Sequence, residues 1–317
     1  MIFCIVGTGH TPIPPFAYGA VESLIWDYYQ TLTTLGHQVY IINKPNTQEM
    51  INEINSINPD IVHIQYDDNV KMSLEINCKT ILFTSHFAYI AQYERLRSTT
   101  YFNIFQQAIE CKDKIYIFAL TNQMKEMYVK FGFPAEKIHV IPNGVNDQLF
   151  QYEQNCKLNK SIYIAVIDQR KSQYKYQSID NIDFVGNYKE TSFDICNSNY
   201  IGEWSKSTLY NNLTNYANLV LLSDGEGDPL VVKEALICGL GIVISEYAIG
   251  HLDISMPFIS VIYKDKLDDI EHVKKVIEDN RNVSIRSREQ IRNYGKTYAW
   301  SLIINDYYLC KINQIGF

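Results

Sequence analysis

Two glutamates, Glu226 and Glu234, stand eight positions apart across a strand–turn–helix stretch and offer the first chemistry legible in this chain. The stretch runs from Leu219 to Tyr247, LVLLSDGEGDPLVVKEALICGLGIVISEY. An apolar strand, Leu219 to Leu222, meets an acidic turn that holds Asp224, Glu226, Asp228 and Pro229. A helix follows from about Leu230 to Cys238, and Gly239 and Gly241 bracket the entry to a second buried strand, Ile242 to Ser245. This is a β-α-β unit of a parallel sheet, and such sheets bind ligands at the carboxyl ends of their strands. Glu226 falls at that end, ahead of the helix, and Glu234 about one turn inside it. Backbone N–H groups from Asp228 to Val231 are orphan donors suited to an anionic or hydroxyl-rich ligand, with one carboxylate for each end of it. The plainer reading is an acidic first helical turn that complements the helix dipole. The cluster Asp224, Glu226, Asp228 is no calcium loop, since no Glu twelve positions on completes one. Asp67-Asp68 lacks a D-x-D spacing, so no metal site is read from the sequence.

The elements that position these residues need room for two cores, which 317 residues supply. Hydrophobic residues make up 46% and charged residues 20%, the balance of a soluble globular protein. A formal charge of -7 argues against a nucleic-acid binder, and more weakly against broad contact with anionic lipid, leaving room for peripheral membrane contact. Seven cysteines form no CxxC pair and no zinc spacing, as expected of free thiols in a reducing cytoplasm. No run of eighteen apolar residues predicts a transmembrane helix, and the start MIFCIVG reads as a buried strand without a basic leader.

Strands are expected at Met1–Val6, Gln38–Ile42, Asp60–Gln65, Lys79–Ser85, Ile115–Ala119 and Ile138–Ile141. Helices are expected at Gly19–Leu35, Thr47–Ile57, Tyr93–Cys111 and Asn122–Phe131. This alternation gives a doubly wound α/β domain. A polar break at Gln151–Lys160 is the linker candidate. Strands resume at Ser161–Ile167, Ile182–Val185, Asn199–Ile201, Leu219–Leu222, Ile242–Ser245 and Phe258–Val261. Helices near Ile270–Asp279 and Ser287–Tyr294, and a last aromatic helix at about Trp300–Ile312, complete the chain. The expected division is an N-terminal Rossmann-like domain, 1–152, joined by the C-terminal helix, 298–317, and a second Rossmann-like domain, 153–297.

Several short motifs fall in one order. They are Tyr18-Gly19-Ala20-Val21-Glu22, Gly36-His37-Gln38-Val39, Asp60-Ile61-Val62-His63 and Ser85-His86. Ile141-Pro142-Asn143-Gly144-Val145-Asn146 with Phe150 follows, then Glu226 with Glu234-Ala235 and Gly239, then Tyr298-Ala299-Trp300 with Tyr307. In this order the chain resembles glycosyltransferase family 4, retaining nucleotide-sugar-dependent transferases of the GT-B fold, over nearly its whole length. The resemblance implies two Rossmann-like domains facing a cleft and a final helix that crosses back to the first. It implies a donor bound mainly on the second domain and an acceptor on the first, with no metal and no cofactor beyond the nucleotide-sugar.

On that resemblance Glu234 would hold the ribose hydroxyls and Glu226 would face the donor sugar. Lys171 aligns with the phosphate-binding Lys; the Arg expected five residues earlier is Val166, and Arg170 would partly compensate. Gly19 belongs to the loop that approaches the phosphates, where a missing side chain allows close contact. Pro229 and Leu230 lie at the helix start beside the donor. The loop with Gly202 and Trp204 would border the base, Trp204 either capping it or packing the domain. His86 would bond the donor sugar or polarise the acceptor hydroxyl, or else pack as a strand-end histidine; His63 reads as structural. Asp228-Pro229 stand where the family has Phe-Gly: Pro229 removes an N–H, and Asp228 adds a negative charge near a diphosphate. The activity implied is transfer of a hexose from a UDP- or GDP-sugar to a hydroxyl of a sugar or glycan. A non-catalytic subunit of the same fold that binds a partner or glycan, and a nucleotide-sugar epimerase, remain as alternatives.

Overall fold

The computed structural model describes residues 1–16 and 19–316. Tyr18, the first residue of the Gly19 motif, and Phe317, the last residue of the expected C-terminal stretch, lie outside the described residues. By its contacts the chain forms two units, Met1–Asn143 with residues 300–316, and Gly144–Ala299. The Gln151–Lys160 stretch belongs to the second.

The first unit carries six parallel strands: β1 (Ile2–Val6), β2 (Gln38–Ile42), β3 (Ile61–Ile64), β4 (Thr80–Phe83), β5 (Ile115–Ala119) and β6 (Ile138–Val140). Their order is β2-β1-β3-β4-β5-β6. Helices α1 (Ala20–Thr34), α2 (Thr47–Ile57), α3 (Tyr93–Arg97), α4 (Tyr101–Glu110) and α5 (Asn122–Lys130) make the crossovers. Runs such as IFCIV and IVHI form strands because β-branched side chains suit a sheet packed on both faces. The helical stretch expected over Tyr93–Cys111 is divided at Ser98–Thr100, and a 3-10 helix spans Asp67–Leu74.

The second unit has five parallel strands: β7 (Ser161–Ile164), β8 (Ile182–Val185), β9 (Asn218–Leu221), β10 (Gly241–Ser245) and β11 (Ile259–Ile262), in the order β11-β10-β9-β7-β8. Its helices are α6 (Gln173–Tyr176), α7 (Lys206–Asn212), α8 (Leu230–Ile237) and α9 (Ile270–Lys296). Asn199–Ile201 is not a strand. Tyr200 makes only an isolated bridge to Phe184, and beyond it the Gly186 N–H reaches past Ile201 to the carbonyl of Gly202, at φ +82°, which breaks the regular ladder. The two expected helices from Ile270 to Tyr294 run together as α9, two helical stretches that meet at a kink at Ser287, a non-helical residue (φ -120°), where the expected second helix begins.

The chain ends in α10 (Trp300–Leu302), a π-helical segment Ile303–Leu309 and α11 (Cys310–Gly316), all packed into the first unit. Trp300 Nε1 donates to Asp27 Oδ2 at 2.9 Å, and the Trp300 ring lies 4.9 Å from Tyr28. The resemblance singled out Tyr307, but it is exposed; its neighbour Tyr308 points inward and is fully buried. No helix among the described residues is long and apolar enough to cross a membrane.

Candidate functional site

In the second unit the residues after β7 and β9 meet at the carboxyl edge of the sheet. Tyr163, buried at the centre of β7, ties the two loops together. Its hydroxyl donates to the Lys171 carbonyl and accepts the Leu222 N–H at 2.9 Å. Asp224 N–H donates to the Arg170 carbonyl at 2.9 Å, and Lys171 N–H to Asp168 Oδ1 at 2.8 Å. These bonds deliver both cations to one carboxylate oxygen. Glu226 Oε1 accepts from Lys171 Nζ and from Arg170 Nη1 at 3.1 Å, and Arg170 Nη1 also donates to the Gly225 carbonyl at 2.8 Å. Lys171 and Glu226 are about a tenth exposed, but Arg170 keeps 31% of its side chain in solvent. Burial alone would raise the Glu226 carboxyl; the two cations outweigh it and hold it below its ordinary range. Asp168, whose Oδ1 accepts the Lys171 N–H, places a second negative charge beside the two cations.

Pro229 stands just before α8 and caps it with no side chain; Leu230 is its first helical residue. Glu234, one turn in and half-buried, has its carboxyl raised by burial, with Lys206 of α7 opposing. Asp228 is not a free charge facing a ligand. It is buried in an ion pair with Lys233 of α8, and neither side chain is exposed. Gly250, at φ +57°, closes over this pair: a Cβ there would sit 2.4 Å from Asp228 Oδ1. Gly202 accepts the Gly186 N–H at 3.0 Å through its carbonyl, and Trp204 packs on the core with its ring 6.2 Å from Tyr216. Val166, where the family Arg would stand, gives its carbonyl to Gln173 Nε2 at 3.0 Å.

The first unit holds Gly19 and His86. Gly19 precedes α1 at φ +143°, and a Cβ there would come 2.7 Å from Glu22 Oε2, so only glycine fits. Glu22 is itself buried and accepts from Thr8 Oγ1 at 3.1 Å. His86 follows β4, and its Nε2 lies 2.9 Å from Gln65 Oε1. Burial pushes its pKa down to about 4, so the ring is neutral at physiological pH. Behind it, Gln65 Nε2 is 3.2 Å from His63 Nδ1, and His63 Nε2 is 2.9 Å from Thr84 Oγ1. Burial takes His63 down to about 3, in keeping with its structural reading. Asp67, not singled out in the sequence, is buried beside this group. Burial raises its carboxyl to about 6 against hydrogen bonds from Ser85, Tyr101 and the His86 backbone.

Gln65, Asp67, Lys233 and Tyr308 were all missed in the sequence. Only Lys233 left a signal, a lone cation inside the apolar run LVVKEALI. Among the described residues no group of three or more His, Cys, Asp or Glu side chains is placed to hold a metal ion.

Residues 33–149 match the family Glycosyltransferase Family 4. The resemblance read from the sequence is borne out over that stretch. No curated protein sequence matches the chain. Among solved structures, HepE of Anabaena, in complex with UDP and glucose, aligns with a TM-score of 0.72 at 11% identity, covering 99% of this chain and 100% of that one. Sucrose-phosphate synthase of Thermosynechococcus elongatus aligns at 0.74 and 12% identity, over 99% of this chain and 98% of its own. The apo lipopolysaccharide outer core galactosyltransferase WaaB aligns at 0.70 and 14% identity, over 99% and 100%. At these identities the likeness is one of fold, and that fold is GT-B.

Proposed function

We propose that the protein is a retaining glycosyltransferase that moves a hexose from a UDP- or GDP-sugar to a hydroxyl of a sugar or glycan without a bound metal. The observation that carries this reading is the convergence of Arg170 and Lys171 on Glu226 at the carboxyl edge of β9, just ahead of α8. Loss of a nucleoside diphosphate develops negative charge on the leaving phosphate, and fixed cations in a half-buried site stabilise it. Glu234 supplies the second grip, toward ribose hydroxyls, and Glu226 faces the sugar. His86 bonds the donor sugar or the acceptor hydroxyl. The UDP and glucose bound in HepE favour a uridine donor as the first to try.

Val166 and Asp228-Pro229 are the residues that would favour the alternative, a non-catalytic subunit. Arg170 offers the cation that Val166 lacks, and Lys233 neutralises Asp228, so neither change of charge speaks against a working donor site. The test is calorimetric titration with UDP, GDP, ADP and CMP, with and without EDTA, on the wild type, Glu234→Ala and Lys171→Ala. Saturable binding of one nucleotide, indifferent to EDTA and lost in Glu234→Ala, is expected. Binding of none would overturn the reading and favour the non-catalytic subunit.

A further inference from the structure

A cavity of about 330 Å³ lies in the second unit, between the stretch 152–154 and the last turns of α9. Tyr152, Gln154, Glu289, Arg292, Asn293 and Lys296 line it, and none of them belongs to the Glu226 cluster. Beyond the kink at Ser287 the helix is regular, so Glu289, Arg292 and Lys296, at spacings of three and four, share one face of it. The lining residues therefore bring two cations and one carboxylate together, in a chain whose formal charge is -7. Arg292 is held in place by its neighbours. Its guanidinium carbon lies over the Tyr152 ring, 4.3 Å from the centroid. The ring is wedged in turn against the chain that leaves α8: a Cβ on Gly239 would come 2.9 Å from Tyr152 Cε2. A guanidinium that rests its face on a ring keeps its edge for hydrogen bonds in its own plane. Arg292 Nε is closed off from solvent without a partner, and so is Tyr152 Oη. The terminal nitrogens of Arg292 are not closed off, yet they make no hydrogen bond or ion pair among the described residues. The same holds for Lys296 and Glu289, although Glu289 stands only three residues from Arg292. The amides of Gln154 and Asn293 are unpaired among the described residues as well.

Buried donors in folded proteins nearly always find an acceptor. Here a donor-rich cavity has none except Glu289, which bonds to nothing. What complements it is a ligand that brings acceptor oxygens and negative charge. We propose that this cavity binds an oxyanion of the phosphate class, gripped by the terminal nitrogens of Arg292 and by the Lys296 ammonium one turn further on. The planar fork of Arg292 matches two phosphate oxygens at once, and the ammonium adds a mobile point charge. Gln154 and Asn293 offer amide N–H groups to the remaining oxygens or to the group that carries them. A volume of about 330 Å³ stands at the small end of cavities that hold organic ligands, so a phosphate ester of monosaccharide size is admitted as well as the free ion. Glu289 opposes the ligand and moderates its affinity. The proposal does not depend on the transferase reading, because it uses none of the residues of the donor site.

The test is calorimetric titration of the full chain in phosphate-free buffer near pH 7, with inorganic phosphate in one arm and glucose 1-phosphate in the other. It is run on the wild type, Arg292→Gln, Lys296→Gln, Glu289→Gln and Lys171→Ala, the last removing a cation of the Glu226 cluster. Saturable binding of at least one probe is expected to survive Lys171→Ala. Arg292→Gln and Lys296→Gln should each weaken it roughly tenfold or more, the worth of a charge-assisted hydrogen bond. Glu289→Gln should tighten it. Tighter binding of glucose 1-phosphate assigns an esterified ligand and equal binding the free ion, and either bears out the site. Saturation by neither probe, or binding that Lys171→Ala abolishes while Arg292→Gln leaves it intact, would overturn the proposal. Should Arg292→Gln fail to fold, amide chemical shifts of the wild type under the same titration still decide: shifts at Asn293 and Lys296 locate the anion in the cavity, and their absence excludes it.

Discussion

Asp228 and Lys233 form an ion pair from which solvent is wholly excluded, across the turn that opens α8. Lys233 Nζ also lies 5.7 Å from the Tyr298 ring centroid. Burial pulls the Lys233 ammonium below its ordinary pKa, and Asp228 restores part of it. The pair removes an unwanted negative charge from the neighbourhood of Glu226 and fixes the turn to the helix.

That arrangement makes the two residues interdependent. Lys233→Met alone should take from the buried Asp228 carboxylate its cationic partner and cost about 3–5 kcal/mol of stability. Lys233→Met with Asp228→Asn removes both charges and should recover most of the loss. Urea denaturation of the two variants checks this. Equal destabilisation by the single and the double variant would show that the pair is not the unit that matters.

The Glu226 cluster gives an expectation that runs against simple charge removal. Glu226 occupies both cations, so a diphosphate must compete with it for them. Glu226→Gln should therefore tighten binding of a free nucleoside diphosphate while slowing transfer, since the group proposed to face the sugar is lost. Lys171→Ala should weaken the same binding by roughly tenfold to a hundredfold, the worth of a charge-assisted hydrogen bond. Calorimetry with UDP separates the two. Weaker binding in Glu226→Gln would mean that this carboxylate organises the phosphate cations more than it competes for them.

Acid sensitivity of the first unit follows from three buried groups. His63 and His86 have folded-state pKa values of about 3 and about 4. Below their ordinary value of about 6.5 the unfolded chain takes up protons that the folded chain refuses, so stability falls with pH, by up to about 1.4 kcal/mol per pH unit for each. Asp67 works the other way. Its pKa of about 6 lets the folded chain bind a proton before the unfolded one does, and stability rises as pH falls toward the ordinary carboxylate value. Between about pH 6 and 4 the three leave a net loss equivalent to one proton. Asp67→Asn should steepen the decline toward two. Urea midpoints of the wild type and this variant at pH 7, 6, 5 and 4.5 measure the difference, in which the other carboxylates cancel; parallel curves would remove Asp67 from the account.

Much of this was legible in the residues. Runs such as IFCIV, IVHI and GIVIS read as buried parallel strands because nothing else hides so many β-branched side chains, and the matched stretch 33–149 covers the motifs from Gly36 to Asn146. Asn199–Ile201 misled because its local sequence suits a strand while the bonding to its neighbour slips out of register at Gly202. Asp228 read as a negative charge near a diphosphate because its partner stands five residues on, across a proline turn, a spacing no helical pattern announces. The His63–Tyr308 bond joins residues 245 positions apart, and only the tertiary fold brings them together.

Arg288 ties separate segments of the second unit together. It is buried on α9 beyond the kink, and its guanidinium meets carbonyls instead of a carboxylate. Nη2 donates to Thr214 O at 2.7 Å and Cys238 O at 3.0 Å, Nη1 to Tyr216 O at 2.9 Å, and Nε to Glu153 O at 3.0 Å. Residues 214–216 and 238 sit at the ends of segments that flank β9 and α8, so one side chain pins the scaffold of the Glu226 turn. Arg288→Lys keeps the charge but not the fork, and strands at least two carbonyls at about 1–3 kcal/mol each. A loss of roughly 3 kcal/mol or more in urea denaturation is expected. UDP affinity in the folded fraction should fall along with it, because the turn that carries Glu226 is anchored through α8. A variant that loses stability but binds UDP as the wild type does would show that the carbonyl cage supports the fold without setting the donor loop.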